Sequence, residues 1–166
     1  MLEAPTMSTN QESLPLGQVL LGKGLINVDQ LTESLKEQRA SGEFLGTILL
    51  KRKWITEKQL VVALSSHFKI PSVTLDNFYV DWELVMLFTP SLIVDRKCFP
   101  LKSSIDTVIF AIVNPLDAYM LAQAEHESRN KKVQLVLVTE SDMQEIIRRY
   151  RQHVLIKIRH TLDGKD

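Results

Sequence analysis

Side chains able to do acid–base, nucleophilic or metal chemistry are few here, and they are scattered. The four histidines, His67, His126, His153 and His160, lack HExxH or any similar ligand spacing. Cys98 is the only cysteine, which excludes a CxxC zinc site and an internal disulfide and fits a reducing compartment. No phosphate-cradling GxxxxGKS or GxxxxGKT loop occurs, no GxGxxG follows a strand, and there is no GxSxG nucleophile elbow. Glu125-His126 reads as a solvated pair on a helix face. Lys51-Arg52-Lys53 beside Trp54 could meet an anionic ligand or partner, but it reads first as a solvated face next to one buried aromatic. Asn114-Pro115-Leu116-Asp117 reads as a turn and helix start. A chain of this kind is expected not to be an enzyme and to need no metal or catalytic cofactor.

The bulk properties agree with an ordinary folded domain. The 166 residues suffice for one domain or two small ones, with 45% hydrophobic and 24% charged residues. Twenty basic and twenty acidic residues cancel, so there is no global field to attract nucleic acid or an anionic membrane, leaving only local patches. Met1 to Ser13 is polar, has no apolar core of a secretory signal, and reads as a disordered lead-in. No apolar run approaches a membrane span, so no direct membrane insertion is expected. The expected location is cytoplasmic.

The elements that must position any site begin with a stretch written twice. Leu16-Gly17 recurs as Leu45-Gly46, Leu20-Leu21 as Leu49-Leu50, Ile26 as Ile55, Gln30-Leu31 as Gln59-Leu60 and Leu35 as Leu64, each at an offset of 29 residues. A fixed period held over a whole unit marks one supersecondary element used twice. Ser13 is expected to cap the first short helix, which Gly22 and Gly24 stop. Asn27 with Gln30, and Thr56 with Gln59, are placed as reciprocal capping boxes opening the two longer helices. The first of these should end at Ala40-Ser41-Gly42, the second near His67, where Lys69-Ile70-Pro71 stops it.

From Pro71 the pattern changes. Ser72 to Leu75 is strand-like, Asp81 caps a helical turn, and Thr89-Pro90 opens a short helix to about Lys97. Cys98 to Leu101 is extended, and Thr107 to Val113 is a strand whose β-branched run predicts burial on both faces. A helix over about 116–128, a strand over Val133 to Val138 and a helix capped by Thr139 complete the set. Arg148 to Arg159 is a basic amphipathic continuation, and His160 to Asp166 trails off. The predicted fold class is α+β: a helical lobe made of a tandem helix-pair repeat over 14–70, then a small α/β lobe over 71–152 with a sheet of about three strands, with 153–166 as helix end and tail.

This doubled pattern resembles the N-terminal domain of bacterial type II secretion and type IV pilus assembly ATPases, the MshEN domain. The family hallmark is a 24-residue motif, RLGxxLLxxGLIxxxxLxxxLxxQ with aliphatic interchange, often present twice with five residues between. Here Pro15 to Gln38 and Phe44 to His67 are each 24 residues, separated by Arg39 to Glu43. The second lobe agrees at Leu75, Asp81, Glu83, Leu84, Pro90, Pro100-Leu101 and Asn114 to Asp117. The resemblance covers roughly 14–152, and the family's ATPase domain is not part of this sequence. An excised domain and a stand-alone protein are both compatible with that.

The resemblance implies a regulatory or protein-interaction module that docks on the inner-membrane platform or the ATPase components of a secretion or pilus machine, peripheral to the inner membrane through those partners. It also implies an alternative, a cyclic di-GMP sensor. The matching positions are Leu16, Gly17, Leu31, Leu35 and Gln38 in the first copy, and Leu45, Gly46, Leu60, Leu64 and His67 in the second. A ligand made of two identical halves suits a doubled unit, with leucines against base and ribose and backbone N–H groups near Leu-Gly meeting phosphate. The departures are the motif's leading arginine, which is Pro15 and Phe44 here, its glycine, kept as Gly24 but replaced by Lys53, and its last glutamine, kept as Gln38 but replaced by His67. Losing both arginines removes two charge-assisted contacts of about 1.5–3 kcal/mol each.

Overall fold

The computed structural model describes residues 15–164, so the lead-in and the Ser13 cap lie outside it. Four helices make the first half: α1 (Leu16–Gly22), α2 (Val28–Ser41), α3 (Leu45–Lys51) and α4 (Glu57–Phe68). Both predicted capping boxes form. The Gln30 N–H donates to Asn27 Oδ1 at 2.8 Å while the Asn27 N–H donates to Gln30 Oε1 at 2.9 Å. In the second copy the Gln59 N–H donates to Thr56 Oγ1 at 3.3 Å and the Thr56 N–H to Gln59 Oε1 at 2.8 Å. Each box satisfies two N–H groups that a helix start otherwise leaves open.

The stops are left-handed turns. Gly42 ends α2 at φ 73°, as glycine readily does. Lys69 ends α4 at φ 56°, so that helix stops at Lys69, ahead of Pro71. Between the short and long helices Gly24 sits at φ 65°, and Lys53 takes the matching turn at φ 57°. The glycine-to-lysine change therefore keeps the backbone path and carries about 1–2 kcal/mol of left-handed strain.

The second half contains α5 (Trp82–Val85), a π-helical turn (Ser91–Asp95), β1 (Cys98–Ser103), β2 (Thr107–Ile112), α6 (Ala118–Glu127), β3 (Lys132–Leu137) and α7 (Glu140–Leu162). The sheet order is β1-β2-β3, with β1 antiparallel and β3 parallel to β2. Cys98 faces Ile112 in one register and Phe110 faces Leu135 in the other. The α+β class and the three-strand sheet are as predicted. Four details differ. Ser72 to Leu75 contributes one parallel bridge, Ser72 to Leu137, because Pro71 has no N–H to give and Asn77 turns left-handed at φ 55°. The helix after Pro90 is wound wide, with the Arg96 N–H donating to the Ser91 carbonyl. In β2 Thr107 and Ile109 are only half-buried. Finally, α7 runs through His160 to Leu162.

Two cores hold the chain. One comprises Leu20, Ile26, Leu31, Leu45, Leu49, Ile55 and Ala63, inside the tandem helices. The other surrounds the sheet, with Phe99, Phe110, Ile112, Leu137 and Met143 at its centre. Val61 and Leu64 of α4 belong to this second core, and Leu16 and Leu60 touch both. The Glu57 carboxylate also accepts the Ser141 N–H at 3.0 Å, in the first turn of α7. Helix α4 is thus the seam between the halves.

Candidate functional site

The tandem motif folds through its glycines. A Cβ on Gly17 would lie 2.6 Å from Leu31 Cδ1 and 3.5 Å from Leu45 Cδ2, and one on Gly46 would lie 3.0 Å from both Leu60 Cδ atoms. In each copy the Leu-Gly of the short helix thus receives a leucine of the longer one. The copies also exchange partners, with α1 packed against α4 and α2 against α3. Gly17, Leu31, Leu45 and Gly46 come together as a closed seam; Leu31 and Leu45 are 7% and 8% exposed.

The remaining motif positions divide. Leu16 and Leu60 are half-buried between the two cores, and Leu64 is buried in the sheet core. Its repeat counterpart Leu35 is on the surface. Gln38 is half-buried and donates through Nε2 to the Glu43 carbonyl at 3.2 Å, one residue from exposed Phe44. His67 is half-buried and meets Phe68 edge-on at 4.5 Å between ring centroids. The repeat is therefore equivalent in sequence and unequal in burial, because α4 turns its stripe to the sheet while α2 keeps Leu35 and Gln38 at the surface.

Charge near the motif is largely matched within the protein. Arg52 Nε and Nη2 donate to Glu37 Oε2 at 2.9 and 2.7 Å, and Nη1 donates to Glu33 at 2.5 Å. The guanidinium also lies 5.2 Å from the Trp54 ring centroid. Lys51 pairs with Glu43. The basic run, read from sequence as a solvated face, is exposed, and Arg52 in it clamps α2 to the end of α3. Glu33 and Glu37 were not singled out from sequence; the available signal was an acid pair four residues apart facing a basic run from the other copy.

Elsewhere the chemistry-bearing side chains are structural or solvated. Cys98 is buried in β1, where burial first, then the Glu127 and Asp117 carboxylates, push its thiol up. Glu125 and His126 are both exposed. His153 stacks on Trp82, ring centroids 4.3 Å apart and planes 4° from parallel. Among the described residues no group of three histidine, cysteine or acidic side chains could hold a metal ion. A cleft of about 560 Å³ lies between the Leu75–Tyr79 turn and α7, away from the motif positions.

Twin helix pairs fused through one helix to a mixed three-strand lobe define an α+β domain whose candidate site is built from leucines, glycines and a single amide. The MshEN domain model matches residues 68–156, more than half of the sequence, and the chain belongs to the MshEN domain family. That match falls on the sheet lobe and α7 and does not extend over the tandem helices. The type IV pilus assembly ATPase PilB of Myxococcus xanthus is 26% identical over 135 residues, covering 81% of this chain and 24% of that protein. Bacteriophage adsorption protein B of Escherichia coli K12 is 27% identical over 135 residues, covering 81% of this chain and 18% of that protein. The chain thus spans a quarter or less of these relatives. A structure of MshE with cyclic di-GMP shares the fold, with a TM-score of 0.74 at 24% identity over 82% of this chain and 98% of that one. The expected resemblance to N-terminal domains of secretion and pilus ATPases is borne out.

Proposed function

We propose that the chain is a non-catalytic regulatory and protein-interaction module of a type II secretion or type IV pilus system, working at the cytoplasmic side of the inner membrane against the platform or the ATPase components. The observation that carries this reading is the closed seam at Gly17, Leu31, Leu45 and Gly46, filled by the protein's own leucines in a domain of the MshEN family. A module of this kind needs no cofactor and no metal.

A second reading, a cyclic di-GMP sensor, is favoured by the surface strip of Leu35, Gln38 and Phe44, and by the fold shared with MshE, whose structure holds that ligand. Phe44 offers a face for a base, and exposed Lys53 offers a charge for phosphate. Calorimetric titration with cyclic di-GMP separates the two. Absence of heat and of any melting shift at saturating ligand supports the interaction module and removes the sensor. Micromolar or tighter binding, lost in Gln38→Ala and in Leu35→Asp, removes the first reading. These positions suit the test better than buried Leu31, whose replacement by Asp would unfold the seam.

A further inference from the structure

The last helix leaves the body of the domain beyond Val154. From Leu155 to Leu162 every residue is exposed, yet four of these eight are large aliphatics. Leu155 is 64% exposed, Ile158 52% and Leu162 81%. Val154, Ile158 and Leu162 follow at intervals of four, extending the stripe of Met143, Ile147 and Tyr150 that packs on the sheet core. Met86, at the end of α5, walls one side of this row and leaves an apolar groove of about 320 Å³.

Charge is segregated onto the same segment. Arg148, Arg149, Arg151, Lys157 and Arg159 are accompanied by no acid up to Leu162, in a chain whose twenty basic and twenty acidic residues balance overall. Arg148 is used by Glu145 at 2.6 Å, and Arg149 donates to the Phe78 carbonyl at 3.1 Å. Arg151, Lys157 and Arg159 enter no ion pair among the described residues. At 100° per residue, Lys157 and Arg159 flank Ile158 on either side of the aliphatic row. An apolar row with long cations on both margins is what an anionic lipid interface accommodates: the aliphatics enter the acyl boundary and the cations reach back to phosphate.

We propose that the end of α7 binds an anionic bilayer surface, lying in the headgroup layer with Leu155, Ile158 and Leu162 inserted, Lys157 and Arg159 at the phosphates on the margins of that row, and Arg151, in line with the row one turn before Leu155, reaching phosphate through its long side chain. A second copy of the chain fits this face poorly, because it would set two clusters of cations against each other. A partner helix fits less well than a plane, because only Met86 walls the groove and Leu155 stands clear of it.

The test is co-sedimentation of the full chain with vesicles of phosphatidylglycerol and phosphatidylcholine at about 3:7, and with phosphatidylcholine alone. Binding is expected to the anionic vesicles only, and to be reversed by salt. Each cation neutralised should weaken it on the order of five-fold, so Arg151→Gln/Lys157→Gln/Arg159→Gln should lose about a hundred-fold. Ile158→Asp/Leu162→Asp should also abolish it, with an unchanged far-ultraviolet circular dichroism spectrum because both side chains are exposed. Equal binding to both vesicle types, or binding that the triple variant retains, overturns the proposal. So does failure to bind any vesicle, and if a synthetic acidic amphipathic helical peptide then binds this face, the face belongs to a protein partner.

Discussion

Two glycines five residues apart in the first repeat show how local surroundings set a residue's worth. Gly17 faces Leu31 closely, whereas a Cβ on Gly22 would meet nothing within 4 Å. Gly17→Ala should therefore cost about 1–3 kcal/mol by overpacking, while Gly22→Ala should be neutral or slightly stabilising. Urea unfolding of the two variants measures the contrast. Lys53 makes the opposite case: it takes the left-handed turn that Gly24 takes in the first copy, and Lys53→Gly should add up to about 1 kcal/mol. Cys98 sits where burial pushes its thiol up, so it should stay unreactive to thiol reagents until the protein unfolds.

At the scale of elements, caps and clamps fix what the short helices cannot fix alone. Asn27→Ala removes one side of a reciprocal box and should cost about 1 kcal/mol in thermal unfolding. Another cap is supplied from outside the helix it serves. The Thr89 N–H and hydroxyl donate to Glu127 at 2.8 and 2.6 Å, and Gln123 adds a third hydrogen bond. Burial acts to raise the Glu127 pKa, but these hydrogen bonds outweigh it and hold the carboxyl below its ordinary range. A depressed folded pKa gives stability that is fully present above the unfolded value of about 4.3 and lost as pH falls through the folded one. The melting-temperature gap between the parent and Glu127→Gln should accordingly close on acidification through that window.

For the whole molecule, α4 is the decisive piece. It carries the second copy of the motif, yet Val61 and Leu64 pack with the sheet and Glu57 receives the Ser141 N–H. Leu64→Ala should cost about 2–5 kcal/mol, whereas Leu35→Ala, at the equivalent repeat position on the surface, should cost well under half of that. Denaturant unfolding of the pair would show the repeat to be unequal in energy as well as in burial. Because α4 belongs to both halves, unfolding followed from the Trp54 and Trp82 environments should give one coincident transition.

The repeat and its spacing were legible because they are written in residue order alone, and both capping boxes and the order of strands and helices because each depends on residues a few positions apart. Asn27 and Gln30 need only one helical turn to meet, and a β-branched run such as Thr107 to Ile112 marks a strand by itself. Burial of the motif leucines depended on tertiary packing. Leu35 and Leu64 are the same residue at the same repeat position, and only the docking of α4 on the sheet makes one a surface group and the other core. Likewise the basic run at Lys51 to Lys53 gave no sign that Arg52 was committed to Glu33 and Glu37, because that pairing joins helices from different copies. Local periodicity sets what each element is, and three-dimensional packing decides which side of it is left for a ligand or a partner.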